Sequence, residues 1–261
     1  MAGTIDIATW NVNSIKARLA NVLGWLKAAA PDIVLLQELK CESHAFPALE
    51  IEDLGYNCAV VGQKSWNGVA ILSKQPIDDV VEALPGDDED SHARYVEATI
   101  GTLRVASLYL PNGNPVDSEE YPYKLAWMRR LRAHAETLLA SEQPFVLAGD
   151  YNVIPQPEDC HDPEAWAGDA LFRLDTRRAF RSLLNLGLTE AWRALHPERV
   201  AYTFWDYQGR AFEGDRGIRI DHLLLSPGAA DRLTGCRIDK EPRGRPKASD
   251  HTPVICTLEA R

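Results

Sequence analysis

The rhythm of apolar positions predicts strands and helices in alternation at both ends of the chain and a middle made of strands alone. Residues 5–10 alternate and are rich in β-forming types, which predicts a strand. Leu19, Val22, Leu23 and Leu26 then recur at helical spacing. Pro31-Asp32 turns the chain into Ile33-Val34-Leu35-Leu36, a continuous apolar run of the kind a strand buried on both faces shows. Strand-like segments follow at 57–61, 69–72, 95–100 and 103–110 with no helical stretch between them, punctuated by Gly62, Gly68, Pro76, Pro85-Gly86 and Gly101-Thr102. Consecutive strands imply antiparallel pairing, so a purely parallel sheet is excluded. Residues 119–140 read as a long amphipathic helix with Leu125, Met128, Leu131 and Leu138 on its apolar stripe. A strand at 145–150 comes next. Residues 155–175, rich in Pro, Asp and Glu, read as an irregular loop. A helix through Ala179, Leu183 and Leu186 stops at Gly187. Strands at 219–226, with Asp221 inside the run, and at 254–258 close the chain.

These strands finish in polar residues. The first runs into Asn11-Val12-Asn13, the second into Gln37-Glu38, the one at 103–110 into Tyr109-Leu110-Pro111-Asn112-Gly113-Asn114, and the one at 145–150 into Asp150-Tyr151-Asn152. Positions i and i+2 of a strand share a face, so Asp150 and Asn152 are expected to point the same way. Gly149 leaves room beside them for a ligand or another backbone, and Pro155 ends the pairing. Ser249-Asp250-His251 stands just before the last strand. Each feature has a plain architectural reading: a salt bridge for Glu38, a turn for Asp150 or Asn152, a cap for Asp250-His251. Jointly they exceed what architecture needs, because a buried carboxylate is costly unless paired or metal-bound.

Composition narrows the chemistry. The chain has 261 residues, 45% hydrophobic and 25% charged, ordinary for a soluble globular protein. No repeat, low-complexity tract or Gly/Ser linker divides it, so a single domain over 1–261 is expected. Nothing resembles a secretory leader or a membrane span. The five cysteines are scattered, with neither C-x-x-C nor zinc spacing. Reduced thiols in a cytoplasmic monomer without a membrane partner are therefore expected. The net charge of −10 argues against a nucleic-acid partner. Part of the acid is confined to Asp87-Asp88-Glu89-Asp90, however, while basic residues gather at Arg129-Arg130 with Arg132, Arg173 with Arg177-Arg178 and Arg181, and Arg243 with Arg245 and Lys247. A local positive face and ordinary solvated helix faces both fit.

The polar strand ends offer oxygen and nitrogen and no thiol. Carboxylates and amides of this kind suit a hard cation such as Mg²⁺, or Mn²⁺. His251 adds a group that ionises near neutrality. Together they are the parts for hydrolysing a phosphate ester.

The ordered set Trp10-Asn11-Val12-Asn13, Leu36-Gln37-Glu38, Tyr109-Leu110-Pro111-Asn112-Gly113, Gly149-Asp150-Tyr151-Asn152, Arg219-Ile220-Asp221 and Ser249-Asp250-His251 resembles the exonuclease III family of apurinic/apyrimidinic endonucleases, within the endonuclease/exonuclease/phosphatase superfamily. The likeness runs from Ile5 to about Leu258. Thr203-Phe204-Trp205-Asp206-Tyr207 and Gly217-Ile218-Arg219-Ile220-Asp221 favour this branch. It implies an α/β, DNase I-like fold: a four-layer α/β sandwich of two mixed β-sheets packed face to face and flanked by helices. It also implies a Mg²⁺-dependent DNA-repair enzyme that cuts duplex DNA 5′ to abasic sites and acts on 3′ ends as an exonuclease.

The resemblance implies roles as well. Glu38 is the chief metal ligand, helped by Asn13 and Asp250, with Asn11 ordering the group. Asp150 orients or deprotonates the attacking water, with Asn152 beside it. His251, paired with Asp221, contacts the scissile phosphate, and Tyr109 stabilises it in the transition state. Asn112 binds a phosphate. Phe204, Trp205 and Ile218 line a pocket for a sugar without its base, with Asn114 and Arg219 also touching substrate. Arg173, Arg177, Arg178, Arg243, Arg245 and Lys247 are candidate phosphate contacts. A tight slot excludes a base-bearing nucleotide, and an abasic one is easier to extrude. Some family members carry Asp at the place of Asn13, Trp at that of Ile218 and a DNA-inserting Arg at that of Asn114, which bears on the balance of activities. Two rival readings stay open. One is a superfamily relative with another substrate, such as a lipid or inositol phosphatase, or a nonspecific nuclease. The other is a non-catalytic binder, as the catabolite repression control protein resembles exonuclease III yet acts through RNA and protein partners.

Overall fold

The computed structural model describes residues 3–260. Met1, Ala2 and Arg261, which belong to the domain span expected above, lie outside the described residues. The strands are β1 (Thr4–Asn11), β2 (Ile33–Gln37), β3 (Asn57–Val61), β4 (Val69–Ser73), β5 (Asp78–Val81), β6 (Tyr95–Ile100), β7 (Leu103–Tyr109), β8 (Phe145–Asp150), β9 (Thr189–Glu190), β10 (Asp221–Leu225), β11 (Leu233–Ile238) and β12 (Val254–Glu259). The α-helices are α1 (Ile15–Ala29), α2 (Ala48–Glu52), α3 (Glu120–Ala140), α4 (Pro163–Trp166), α5 (Leu174–Leu184), α6 (Ala191–Leu195) and α7 (Pro227–Ala230).

The strands form two six-stranded sheets, ordered β11-β12-β1-β2-β4-β3 and β5-β6-β7-β8-β10-β9. Each sheet holds one parallel pair, β1 with β2 and β7 with β8. In each case the long helix expected from the sequence, α1 or α3, makes the crossover that parallel pairing requires. The other pairings are antiparallel, as the strand-only middle predicts.

Strand alternation divides the apolar residues between layers. Ile7, Leu35, Val105, Val146, Ala148 and Leu223 point inward and form the core between the sheets. Their neighbours Ala8, Trp10, Val34 and Leu36 face outward onto Val22, Trp25 and Leu26 of α1. Ala106, Leu108, Leu147 and Leu224 face Trp127, Met128, Leu131 and Phe180 of α3 and α5. The four-layer mixed sandwich expected above is what the chain adopts.

The same alternation positions the polar strand ends. Counting on by two from the inward residues reaches Asn11, Gln37, Tyr109, Asp150 and Asp221. The register sets Asn11 beside Gln37 and places Asp150 between Tyr109 and Asp221. Gln37 closes the core beneath the site, donating to Ser107 Oγ at 2.9 Å and accepting from Thr9 Oγ1 at 3.3 Å. Gly149 is needed by a backbone: a Cβ there would lie 1.8 Å from the Leu108 carbonyl oxygen.

Four expectations are corrected. Strands β5, β9 and β11 carry no pattern in the sequence, since β5 is a largely solvent-facing edge, β11 a half-buried edge without clean alternation, and β9 two residues long. Asp221 opens β10 rather than lying inside it. The helix read as reaching Gly187 ends at Leu184, and Gly187 follows with φ +102°. The loop at 155–175 contains the one-turn helix α4.

Candidate active site

Just past the sheet edge the chain makes left-handed turns at residues with side chains. Asn13, Glu38 and Asn152 have φ of 45°, 52° and 47°. Asn tolerates this region and Glu seldom occupies it. Strain of that kind persists where the surroundings over-determine it, and it gathers at functional sites. Here it swings Glu38 out of line with Gln37 and towards Asn11.

Asn11 is the hub. Its buried Nδ2 donates to Glu38 Oε1 at 2.8 Å and to Asp150 Oδ2 at 2.9 Å. Its Oδ1 accepts from the backbone N–H of Asn13 at 3.0 Å. Asp150 Oδ1 takes the N–H of Asn152 at 2.9 Å. His251 Nδ1 meets Asp221 Oδ2 at 2.8 Å, and its Nε2 lies 3.6 Å from Asp150 Oδ2. The Phe204 ring packs against the imidazole at 5.0 Å between centroids.

The charge balance is uneven. Burial works against the imidazolium of His251, but Asp221 and Asp150 outweigh it and carry the pKa up to about 10. His251 is therefore a cation and a donor at neutral pH. Burial pushes the Asp150 carboxyl up, and Asp221 and Glu38 add repulsion; despite His251 and Asn11 it stands at about 7. The Tyr109 phenol is buried beside Glu38 and Asp150, which hold it well above its usual range, so it remains a donor. Asp221 Oδ1 is buried and accepts no hydrogen bond.

Metal-type ligand atoms of Glu38, Asp150 and His251 lie within 4.8 Å of one another. Both ring nitrogens of His251 already face carboxylates, Nδ1 that of Asp221 and Nε2 that of Asp150, so the ligands are sought among the other oxygens. Burial opposes ionisation of Glu38, yet Lys40 and Asn11 hold its pKa below the ordinary carboxylate value. Lys40 Nζ sits 2.9 Å from Glu38 Oε2 and 2.6 Å from Asn13 Oδ1, so these two oxygens already share a cation. Asn13 Nδ2 in turn donates to Asp250 Oδ1 at 3.1 Å. An oxygen-only set around one cationic group fits a hard divalent ion.

The site opens into a cleft of about 250 Å³. Its lining joins the charged and polar Glu38, Tyr109, Asp150, Asp250 and His251 and the amides Asn112, Asn114 and Asn152 to an apolar wall of Phe204, Ile218, Ile220, Leu171 and Trp166. Phe204 and Ile218 are bridged by paired backbone bonds, N–H to O at 3.0 Å in both directions. Gly217 permits that approach, since a Cβ would stand 2.7 Å from the Phe204 carbonyl oxygen.

Trp205 stays outside the wall. It is fully buried against Tyr202, Ala211 and Phe212, and its Nε1 donates to Asp215 at 3.1 Å. The alternation that turns Phe204 to the cleft turns its neighbour away. Arg219 is likewise directed inward. It is 2% exposed, with Nε on Asp159 at 2.8 Å and Nη1 on Glu190 at 2.9 Å. Asn114 does line the cleft but is fastened to both oxygens of Asp169 at 3.1 Å. Arg178 pairs with Asp175, Arg245 with Glu241, and Arg177 stacks over the Phe172 ring at 4.5 Å. Lys247 lines a separate groove beside Tyr207.

Sequence reasoning missed Lys40, Lys124, Trp166, Asp169 and Leu171. Lys124 is fully buried, and its Nζ donates to the carbonyls of Asn152 at 2.6 Å and Asn112 at 2.9 Å. It thereby fastens together the loops after β7 and β8. Asn112 and Asn152 join across them at 3.1 Å. A signal existed: Lys124 falls three residues after Tyr121 and four before Met128, on the buried face of α3. Trp166, Asp169 and Leu171 sit in the aperiodic 155–175 segment, where no pattern marks an inward residue.

Comparison with known proteins adds to this geometry. The model of the endonuclease/exonuclease/phosphatase family matches residues 8–251. Exodeoxyribonuclease III of Haemophilus influenzae is 31% identical over 258 residues, covering 94% of this chain and 97% of the relative. An AP endonuclease structure from Archaeoglobus fulgidus superposes with a TM-score of 0.94 at 38% identity, covering 98% of this chain and 100% of the other. A Neisseria 3′ phosphatase bound to a product DNA hairpin gives 0.95 at 39%, with the same coverage.

Proposed function

Since the chain belongs to the endonuclease/exonuclease/phosphatase family, we propose that it is a divalent-metal-dependent phosphodiesterase of DNA repair. It cuts duplex DNA 5′ to an abasic site, leaves a 3′-hydroxyl, and trims 3′ ends. Mg²⁺ is the natural ion and Mn²⁺ a substitute, and the enzyme acts as a monomer. The observation that carries this reading is the junction of the Asn11-centred carboxylate cluster with a small cleft that also presents Phe204, Ile218 and Leu171, at one sheet edge.

In this mechanism Glu38, Asn13 and Asp250 would hold the metal ion, which would supply positive charge to offset the negative charge of the phosphoryl group. Asp150, with a pKa of about 7, is matched to accept the proton of the attacking water. The Asn152 amide beside it orients that water. The water oxygen attacks phosphorus, the P–O3′ bond breaks, and the departing 3′ oxygen takes a proton from solvent to leave as the 3′-hydroxyl. His251, kept cationic by Asp221, and the Tyr109 hydroxyl donate to the phosphoryl oxygens as charge builds. Phe204, Ile218 and Leu171 take the baseless sugar; a nucleobase would collide with the wall.

The test is a labelled duplex with one abasic site, incubated with wild type, Glu38→Ala and Asp150→Asn, in Mg²⁺ and then in EDTA. Cutting at the abasic site that needs metal and disappears in both variants is expected. An uncut duplex that still binds wild type would overturn catalysis, and hydrolysis of small phosphoesters alone would overturn DNA as substrate. A 3′-phosphorylated duplex in the same assay reads the 3′-end activity.

A further inference from the structure

The acidic run Asp87-Asp88-Glu89-Asp90 has no part in the chemistry above, yet its last side chain is turned inward and is 6% exposed. Asp90 Oδ2 accepts from Arg130 Nη1 at 2.7 Å, and its Oδ1 lies 3.0 Å from His92 Nδ1. The Tyr123 hydroxyl donates to both oxygens at 3.1 Å. Burial works against the charge on Asp90, but these partners hold its pKa below the ordinary carboxylate value. The Tyr123 ring fixed in this way has the guanidinium of Arg94 against it, 6.0 Å from the ring centre.

The same guanidinium lies 5.0 Å from the centre of the Tyr109 ring. The sheet imposes this. Tyr95 pairs with Leu108 in the antiparallel register of β6 and β7, so Arg94 falls opposite Tyr109. The Tyr109 N–H donates to the Arg94 carbonyl at 2.8 Å, and Arg94 Nη1 returns a bond to the Tyr109 carbonyl at 3.3 Å. Arg94 Nε is buried and has no hydrogen-bond partner among the described residues. An unmet donor of this kind is costly, and contact with the two rings offsets the cost. A cation against an aromatic face is held by the ring's electron density and draws on it. At Tyr109 this fixes the ring and polarises its hydroxyl. Burial, Glu38 and Asp150 push the phenol pKa up, and Arg94 pulls it the other way.

We propose that Arg94 is a positioning residue for the reaction: braced by Tyr123 and Asp90, it orients the Tyr109 ring and strengthens the Tyr109 hydroxyl as a donor to the phosphoryl oxygens. The proposal rests on the role given to Tyr109 above and deepens it. Asp90 then serves as the outer brace of the site, and the acidic run is tied to the chemistry through it.

The experiment is a double-mutant cycle on a duplex with one abasic site, with kcat and KM measured for wild type, Arg94→Met, Tyr109→Phe and the pair. Arg94→Met should lower kcat about tenfold, with KM for DNA changed about twofold or less. In the Tyr109→Phe background the same substitution should cost almost nothing further. Equal losses in both backgrounds overturn the proposal, because Arg94 then acts through something other than that hydroxyl. Arg94→Lys keeps the cation and should recover kcat to within about threefold of wild type; a Lys variant no better than Met also overturns it. Fluorine NMR of fluorotyrosine-labelled protein adds a readout besides activity. The Tyr109 line, assigned with Tyr109→Phe, should move in Arg94→Met and return most of the way in Arg94→Lys, and an unmoved line counts against the contact. If Arg94→Met does not fold, Tyr123→Phe takes its place in the cycle, since it removes only the hydroxyl held by Asp90. A loss of about threefold in kcat that vanishes with Tyr109→Phe supports the brace, and no loss overturns it. Wild type that cuts while Tyr109→Phe cuts equally well overturns the role of Tyr109 and this proposal, and leaves the function standing. Wild type that does not cut the duplex overturns the function itself.

Discussion

Asp221 and His222 are neighbours on β10 and face opposite layers, and each belongs to a buried charge cluster of its own. The outer cluster is closed in charge, two arginines against two carboxylates. Arg219 joins Asp159 at 2.8 Å and Glu190 at 2.9 Å, Arg193 reaches Asp159 at 2.5 Å, and His222 Nδ1 stands 3.1 Å from Arg219 with Nε2 on the Val153 carbonyl at 3.0 Å. Burial opposes the charge on Glu190, but Arg219 and His222 overcome it and draw the pKa down to about 2. The inner cluster is open. Glu38, Asp150, Asp221 and Asp250 face one imidazolium and Lys40, one carboxylate oxygen has no partner, and Asp150 is pushed up to about 7. Equal depth thus produces opposite shifts, and the sign follows the local balance of charge. A surplus of negative charge in a cleft is a standing attraction for a cation, whereas the outer network, with Arg193 and Arg219 against Asp159 and Glu190, carries no such surplus.

The largest expected effect comes from the open cluster. Asp150→Asn removes the proton acceptor and keeps the shape, so cleavage should fall by about 10³-fold or more, the scale of losing a group that acts in the transition state. Because the carboxylate it replaces is crowded by Asp221 and Glu38, the metal-free variant should melt no lower than wild type. A variant that loses activity and melting temperature together would make Asp150 a structural residue and erase the contrast.

The closed cluster should respond the other way. Glu190→Gln strips Arg219 of a charged partner, and breaking a buried pair costs about 3–5 kcal/mol. Chemical denaturation should show that loss, with activity per folded molecule nearly intact. The folded pKa of Glu190 lies below its ordinary 4.5, so its contribution is complete above pH 4.5 and is lost as pH falls towards about 2. A shift of that size corresponds to about 3 kcal/mol. Acid unfolding should therefore be shallower in Glu190→Gln than in wild type; equal slopes would mean that the network is not what holds Glu190 ionised.

How much of this contrast the sequence discloses depends on the element. Asn11, Glu38, Tyr109 and Asp150 could be found because each follows an apolar run, and His251 because it stands just before one; a polar residue at such an end stands out. Arg219 could not be sorted in the same way. It sits two residues before Asp221 and shares its motif, yet its partners are 60 and 29 residues away, Asp159 in the aperiodic 155–175 segment and Glu190 in the two-residue β9. Trp205 was misplaced because neighbouring aromatics look alike in sequence while only Phe204 faces the cleft. Strand periodicity predicts which face a residue takes; it says nothing of which partner waits there.

Lys124 tests whether the open cluster depends on support from behind. Its ammonium sits under the loops that carry Asn112 and Asn152 with carbonyls for partners, and burial lowers its pKa to about 7 despite Asp150 and Asp169. Lys124→Met should loosen both loops and lower kcat about 10- to 100-fold, the usual scale for misplaced catalytic groups. The KM for DNA should change less. Lys124→Arg should recover part of kcat. If both variants lower only the melting temperature, Lys124 is simply core.

The smallest effect sharpens the comparison most, because it alters the surplus of charge by one unit. Asn13→Asp adds a carboxylate where the amide oxygen now lies 2.6 Å from Lys40 Nζ. Two consequences oppose each other. The added charge attracts a divalent ion, and it also tightens the hold of Lys40 on the same oxygens. The divalent ion carries twice the charge of the ammonium, so the metal should gain more, and half-saturation of cleavage should move to lower Mg²⁺ by a few-fold, about 1 kcal/mol or less for a partly exposed site. The new carboxylate also loses the donor that the amide extended to Asp250 and Tyr207, which trims the gain further. A Mg²⁺ titration of the cleavage rate reads the balance directly. Movement to higher Mg²⁺ would mean that Lys40 competes with the ion for Glu38 and Asn13, and that the cluster is already nearer to closure than its unpaired oxygen suggests.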